Sequence, residues 1–407
     1  MKRIFSLLLL ASLALSPTPA MAQTQNARFV QGGIWPDTDG HHINAHGGGL
    51  LEYGGRFYWF GEEKASHTSS ALTGVSVYVS DNLRDWQKLP TALAVDTVDE
   101  TSPIARGCTL ERPKVVFCER TGKFVMWFHL ELKGQGYGAA LAGVAQADRP
   151  EGPYRFVRAE RVNAGILPFG MSDADIDAMF ALNAADYPDW WTPKWRDAVG
   201  KGLFCRRDLK GGQMARDQQI YVDDDGTAYH IYSSEENLTL QIAELTPDYL
   251  SHTGKYIRVA PGHQNEAPCI FRHGGYYWLV CSGCTGWAPN AARLYRARSI
   301  WGPWEGNLCN PCCEGTAERP ADKTFLAQGT QIFPLRNAAG DTTFVFMADE
   351  WHPKNHADGR YLWLPIRFDD EGIPEIPFTP DFLGHRSQVT GHNCWRLLRS
   401  AQPNCDL

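Results

Sequence analysis

Gly49-Leu50-Leu51-Glu52-Tyr53-Gly54-Gly55-Arg56-Phe57-Tyr58-Trp59-Phe60-Gly61 reads as a strand, a two-residue glycine turn and an aromatic-rich returning strand. Paired glycines supply the positive φ angles that tight hairpins need. The same pattern returns four times: Val115 to His129 around Thr121-Gly122, Gln219 to Ser233 around Asp225-Gly226, Cys269 to Ser282 around Gly274-Gly275, and Gln331 to Ala348 around Ala339-Gly340. The returning strands are alike, among them Phe124-Val125-Met126-Trp127, Tyr229-His230-Ile231-Tyr232 and Tyr276-Tyr277-Trp278.

Turn-rich punctuation follows most hairpins. Examples are Ser80-Asp81-Asn82-Leu83-Arg84-Asp85-Trp86, Arg149-Pro150-Glu151-Gly152-Pro153-Tyr154 and Ser299-Ile300-Trp301-Gly302-Pro303-Trp304. Five units of about four short strands predict an all-β chain folded as a five-bladed β-propeller over 23–384. A β-sandwich with accidental similarity is the plainer alternative. The segment before the first hairpin is expected to pair with the last blade and close the ring. One stretch, 162–212, breaks the rhythm with Pro168, Pro188, Pro193 and a helix-like run from Ser172 to Ala185. It is read as an insertion that is either a lid carrying Trp190 and Trp191 over a pocket or a flap packed on the side.

Composition narrows the function. The chain has 407 residues, 43% hydrophobic and 21% charged, which suits a packed core rather than a disordered chain. A net charge of -7 argues against nucleic acid or an anionic membrane as the partner. Met1 to Ala22 has the basic end, apolar stretch and small-x-small site of a secretory leader, with a membrane anchor as the alternative. An exported protein, periplasmic or secreted, is therefore expected, ahead of a tail over 385–407. Eleven Cys in such a chain raise the question of disulfides. Cys281, Cys284, Cys309 and Cys312 also spell a paired CxxC pattern. The odd offset within an extended strand disfavours zinc, and structural thiols or disulfides near Cys309, Cys312 and Cys313 are the plainer reading.

Hairpin geometry says where polar residues converge. The start of each first strand and the end of each second strand lie at one end, and the innermost strands of a propeller surround its axis. The leading positions are His46, Glu111, Asp217, Glu266 and Gln328. The trailing positions include Glu62, Glu63, His129, Glu131, Glu235, Glu236, Asp349 and Glu350, with Trp59, Trp127, Trp287 and Trp351 nearby. Carboxylates crowded round one mouth push each other's pKa values apart, the condition for general acid catalysis near neutral pH. With aromatic platforms, such a ring suggests glycoside hydrolysis. A purely binding surface, or a ring holding a cation such as Ca²⁺, stays open.

Glu266-Ala267-Pro268, Gly226-Thr227-Ala228-Tyr229 after Asp223-Asp224-Asp225, and Trp301-Gly302-Pro303-Trp304 resemble glycoside hydrolase family 43, a family of five-bladed propellers. Asn44-Ala45-His46-Gly47-Gly48-Gly49, Glu111-Arg112-Pro113-Lys114, Ser233-Ser234-Glu235-Glu236-Asn237 and Ser282-Gly283-Cys284-Thr285-Gly286-Trp287 are similar to its exo-β-1,3-galactanase branch. The resemblance implies an inverting hydrolase with Glu266 as general acid and Asp217 as the carboxylate that orients and tunes it. The position of the usual Asp base falls on His46, read either as the base itself, by its intrinsic pKa near ~6.5, or as a structural histidine. In this branch a glutamine, matched by Gln328, places the attacking water, in one account as its imidic-acid tautomer. Glu111 would hold sugar hydroxyls, and Glu63, Glu235, Glu236, His46, Trp287 and Trp351 are further candidate sugar contacts. The resemblance implies no required cofactor. No metal ligands are assigned, and a structural Ca²⁺ on the axis is left open. The expected substrate is an arabinogalactan-like polysaccharide or oligosaccharide, and the expected state a monomer without nucleic-acid or membrane partners. Another specificity on the same propeller (arabinofuranosidase, β-xylosidase or galactofuranosidase) and a non-catalytic sugar-binding propeller are the alternatives.

Overall fold

Glycine turns at 54–55, 121–122, 225–226 and 274–275 each close an antiparallel hairpin in the computed structural model, which describes residues 29–336 and 341–382. The leader, the tail and the turn Ala339-Gly340 lie outside the described residues. The first blade is β1 (His46–Tyr53), β2 (Arg56–Glu63) and β3 (Gly74–Ser80), edged by the short β4 (Gln87–Lys88) and β5 (Leu93–Ala94). The second is the meander β6 (Thr109–Cys118), β7 (Lys123–Glu131), β8 (Leu141–Ala147) and β9 (Arg155–Glu160). Three helices follow, α1 (Asp173–Phe180), α2 (Pro193–Gly200) and α3 (Leu203–Asp208). The third blade is β10 (Gln218–Val222), β11 (Ala228–Ser234), β12 (Thr239–Leu245) and β13 (His252–Val259).

The fourth blade is β14 (Glu266–His273), β15 (Tyr276–Ser282) and β16 (Arg293–Ala297), widened by a bridge from Arg296 to Glu305. After β17 (Cys312–Cys313), the fifth blade is β18 (Gln328–Arg336), β19 (Thr342–Glu350) and β20 (Arg360–Pro365). The strands β21 (Arg367–Phe368) and β22 (Pro374–Pro377) form a small outer sheet with β17. The innermost strands touch in a cycle, β1 to β6 to β10 to β14 to β18 and back to β1. This is the five-bladed propeller expected from the hairpins.

The N-terminal segment closes the ring. The Gly32 amide donates to the Tyr361 carbonyl at 2.8 Å, and the Trp363 amide to Gln31 Oε1 at 2.6 Å. Trp35 of this strap packs edge-on against Trp363 of blade five (5.5 Å) and Trp59 of blade one (6.1 Å), with Trp86 beside them. All four rings are fully buried. Each buried Trp removes about 150–250 Å² from water, so this seam is a major share of the closing energy. The abundance of Trp is therefore largely structural, since Trp127, Trp195 and Trp278 are buried too.

The insertion begins as its sequence suggests. Ser172 caps α1, and Asp175 completes the reciprocal capping box. The helix is shorter than the run Ser172 to Ala185, because the Asn183 side chain caps a separate turn at Ala184–Asp186. Trp195, Val199 and Phe204 pack on Leu238 of blade three in a satellite core. Cys309 and Cys312 are free thiols, as are Cys108, Cys118, Cys205, Cys269, Cys281 and Cys284, so no disulfide joins Cys309, Cys312 and Cys313 to one another. Cys281 and Cys312 belong to separate hydrophobic cores, so the two CxxC pairs do not meet in one metal site.

Candidate active site

Strand register brings the leading residues to one mouth. His46 pairs with Glu62, Glu111 with His129, Glu266 with Ser282 and Gln328 with Asp349, while Asp217 stands just ahead of β10. A β-bulge follows the leading residue in four of the five blades. In three of these bulges the next residue is left-handed: Gly47 (φ 58°), Arg112 (φ 54°) and Ala267 (φ 52°). A bulge re-aims the side chain beside it, which is how Glu111 and Glu266 turn into the opening. Only glycine fits at 47, where a Cβ would sit 2.2 Å from Glu62 Oε1.

The result is a cavity of about 300 Å³ at the axis. Glu266, Asp217, Gln328, Glu111, Trp287 and Trp351 of the sequence-derived set all line it. Glu266 Oε1 accepts from Asn237 Nδ2 at 2.7 Å and from the Cys284 thiol at 3.0 Å. Burial, then the negative Asp217, raise its carboxyl to about 6. Asp217 is held by Arg112 at 2.9 Å and by the Ala267 amide at 3.1 Å, the amide next to the acid itself. Gln328 is fixed at both ends. Its Oε1 accepts from Arg112 Nη2 (2.5 Å) and Trp351 Nε1 (2.9 Å), while Nε2 donates to Ser282 Oγ at 2.9 Å and faces Glu266 Oε2 at 3.5 Å. The guanidinium and the indole can only donate, so the atom facing them is an acceptor and the amide orientation is settled.

Glu111 is a permanent anion. Burial works to raise it, but the His129 hydrogen bond and charge, with Lys64 and Tyr137, hold it at about 2. Tyr137 donates to it at 2.8 Å, and His129 bridges it to the fully buried Glu131. Burial disfavours the His129 cation, yet its two glutamate partners raise it to about 9. Glu62 and Lys64 form a buried pair at 2.5 Å on the neighbouring wall. Trp287 and Trp351 meet edge-on at 5.9 Å, and Trp287 leaves 45% of its surface to solvent.

Four expected sugar contacts lie elsewhere. His46 is fully buried beneath the cavity, stacked on Tyr361 at 5.5 Å. Burial, then Lys64 and His42, hold it well below the usual histidine range. Glu63 turns to the blade edge and pairs with Lys88 at 2.6 Å. Glu235, with no exposed surface, is clamped by Arg258 at 2.6 and 2.8 Å. Glu236 is held between Arg207 (2.9 Å) and Arg216 (3.2 Å). Glu235, Glu236 and Asn237 are all left-handed (φ 51°, 59° and 60°), and this short reverse run presents Asn237 to the acid instead of a glutamate. Trp190 and Trp191 do not line the cavity either, so the insertion is a flap beside the mouth rather than its roof.

Arg112 is the residue that motif reading undervalued. It bonds Asp217, Gln328 and the Gly329 carbonyl, and lies over Trp351 at 5.3 Å. Its position directly after a leading residue was the available signal. Lys64, Tyr137 and Arg216, also lining residues, come from loops and edges that the hairpin pattern does not address.

Below the cavity, Lys114 Nζ donates to the Gly47 carbonyl at 2.9 Å and faces those of Arg112 and Pro113. The carboxylate there, Asp349, accepts the Gly47 amide at 2.7 Å. These oxygens are already engaged by the Lys114 amine, which burial pulls down to about 7, and by an amide. Among the described residues, no three His, Cys, Asp or Glu side chains gather as a metal site.

Comparison with known proteins identifies the family. The profile of Glycosyl hydrolases family 43 matches residues 166–374. A GH43 β-1,3-galactosidase solved with galactodeoxynojirimycin is 54% identical, with a TM-score of 0.82, covering 86% of this chain and 99% of that one. An exo-β-1,3-galactanase from Clostridium thermocellum is 32% identical (TM-score 0.68), covering 86% of this chain and 65% of that one. One from Phanerochaete chrysosporium, solved with β-1,3-galactotriose, is 30% identical (TM-score 0.65), covering 86% and 66%.

Proposed function

The chain belongs to glycosyl hydrolases family 43, and from that premise we propose that it is an inverting exo-β-1,3-galactanase, releasing galactose from the end of β-1,3-linked galactan. The observation that carries the mechanism is the environment of Glu266, a carboxyl raised to about 6 in a pocket beside Asp217. In the protonated form it gives its proton to the glycosidic oxygen as the C1–O bond breaks. A water adds to C1 from the opposite face, and the anomeric configuration inverts. Burial, then the charge of Asp217, raise Glu266 toward the protonated form, and Asp217 is itself aimed by Arg112. Gln328, immobilised by Arg112, Trp351 and Ser282, places the water. Glu111, locked as an anion, accepts from sugar hydroxyls. Trp287 and Trp351 wall the terminal galactose. This chemistry calls for no cofactor.

Substrate origin and location belong to the same proposal. Arabinogalactan-type chains supply β-1,3-linked galactose, and the leader-like pattern of residues 1–22 supports an enzyme acting outside the cytoplasm.

The test is product analysis. Purified protein should release galactose one unit at a time from β-1,3-galactooligosaccharides, with the freed anomer inverted by NMR. Glu266→Gln should lower kcat/KM by about 10²–10⁴ with substrate still bound. Silence on galactan with cleavage of an aryl arabinofuranoside or xyloside would keep the acid and replace the substrate. Sugar binding without any turnover would make the propeller a binding module.

A further inference from the structure

The insertion stands at the mouth. β8 begins beside the end of β7, at the cavity end, and Ala142 of β8 pairs with Glu160, so β9 finishes there. β10 starts again beside Asp217. The chain between them therefore leaves from, and returns to, the face on which the cavity opens. Its core of Trp195 and Phe204 packs on Leu238. The residue before Leu238 is Asn237, which holds the acid Glu266. A second link runs from Phe204 through Arg207 (4.5 Å) to Glu236 and on to Arg216 in the cavity wall.

On this mount sit two half-exposed tryptophans. Trp190 stacks on the buried Trp195 at 5.1 Å and 28°, and 45% of it faces solvent. Trp191 lies 5.0 Å from Trp195 and is 47% exposed. Arg196 lies over Trp191 at 5.6 Å, which leaves the pair anchored from below and beside. Nothing in the fold of the blades needs these rings at the surface. Anchored aromatic faces beside a cavity mark a ligand surface rather than a core.

We propose that Trp190 and Trp191 form a platform for the galactosyl units on the leaving-group side of the cleaved bond. The proposal rests on the galactanase reading. The acid must face the leaving oxygen, so the rest of the chain departs across Glu266 and Asn237, toward the insertion. The face of a β-galactosyl unit that carries its axial C–H bonds is apolar and flat enough to lie on an indole.

The experiment compares chain lengths. Trp191→Ala leaves the Trp190–Trp195 stack in place, and Trp191→Phe keeps a ring; thermal unfolding checks that both fold. The ratio of kcat/KM for a six-unit β-1,3-galactooligosaccharide to that for the two-unit one should fall about 5- to 10-fold in Trp191→Ala, and further in the double variant with Trp190→Ala. Trp191→Phe should recover much of it. A ratio equal to wild type in the double variant overturns the platform. If wild-type protein cleaves no galactan, the galactanase reading fails by itself. The platform is then judged by affinity electrophoresis in β-1,3-galactan, where equal retardation of wild type and double variant overturns it.

Discussion

Two donors meet one oxygen of Glu266, and they differ in kind. Asn237 is neutral at any pH, whereas the Cys284 thiol stays protonated because burial, then Glu266, push it up to about 12. A thiol donor favours the carboxylate, so it partly offsets the burial that raises Glu266. Cys284→Ala should therefore move the basic limb of the kcat/KM profile above about 6, and Cys284→Ser should restore it toward wild type. A limb unmoved by Cys284→Ala would remove the thiol from the acid's environment. In the sequence this residue stood in a CxxC pair and in the Ser282–Trp287 motif, but neither gave the thiol a role, because a single thiol carries no pattern that names its partner. Glu266 and Asp217 were legible for the opposite reason: each stands at the same place in a repeated unit.

Strand ends show where periodic reasoning stops. Alternation and turn residues were enough to place the hairpins and the mouth. They say nothing of which neighbours will cover a leading side chain, and His46, expected in the cavity, lies instead under Tyr361 and Trp351. The left-handed run at Glu235–Asn237 is a break in the alternation, and it converts Glu235 from a sugar contact into a strut. Glu235 and Arg258 tie the end of β11 to β13, and Arg258 also donates to the Val199 and Gly200 carbonyls at the end of α2. Removing one partner strands the other charge in the interior. Arg258→Ala should lower stability by roughly 3–5 kcal/mol, measured by denaturant unfolding, with a smaller effect in Glu235→Gln/Arg258→Met. A loss below about 1 kcal/mol would show that the pair is not a strut.

Around the axis, charge is buried rather than solvated, and the molecule as a whole feels it. Asp349 is raised to about 7, by burial above all. An unfolded aspartate titrates near ~3.9, so between about pH 4 and 7 the folded state holds a proton that the unfolded state has released. Stability from this group is complete below that window and is lost as pH rises through it. Glu266 acts in the same direction up to about 6. The buried histidines His46, His230 and His252, all held below the usual range by burial, work in the opposite sense, so the test is differential: Asp349→Asn, which keeps an acceptor for the Gly47 amide, should remove a falling component from the wild-type dependence of melting temperature on pH between about 4 and 7. An unchanged slope would place the titration elsewhere.

The bond from Trp363 to Gln31 spans 332 residues of chain, which makes the seam between strap and last blade the most non-local contact described above. In an unbroken ring every blade has two neighbours, so covalent continuity at any one hairpin tip is redundant. A protease that cuts a single exposed turn, such as Gly274-Gly275, leaves both fragments gripped on either flank. Such a nicked molecule should still run as one particle on a sizing column and separate only in denaturant, with a second pair of chain ends at the tip of blade four.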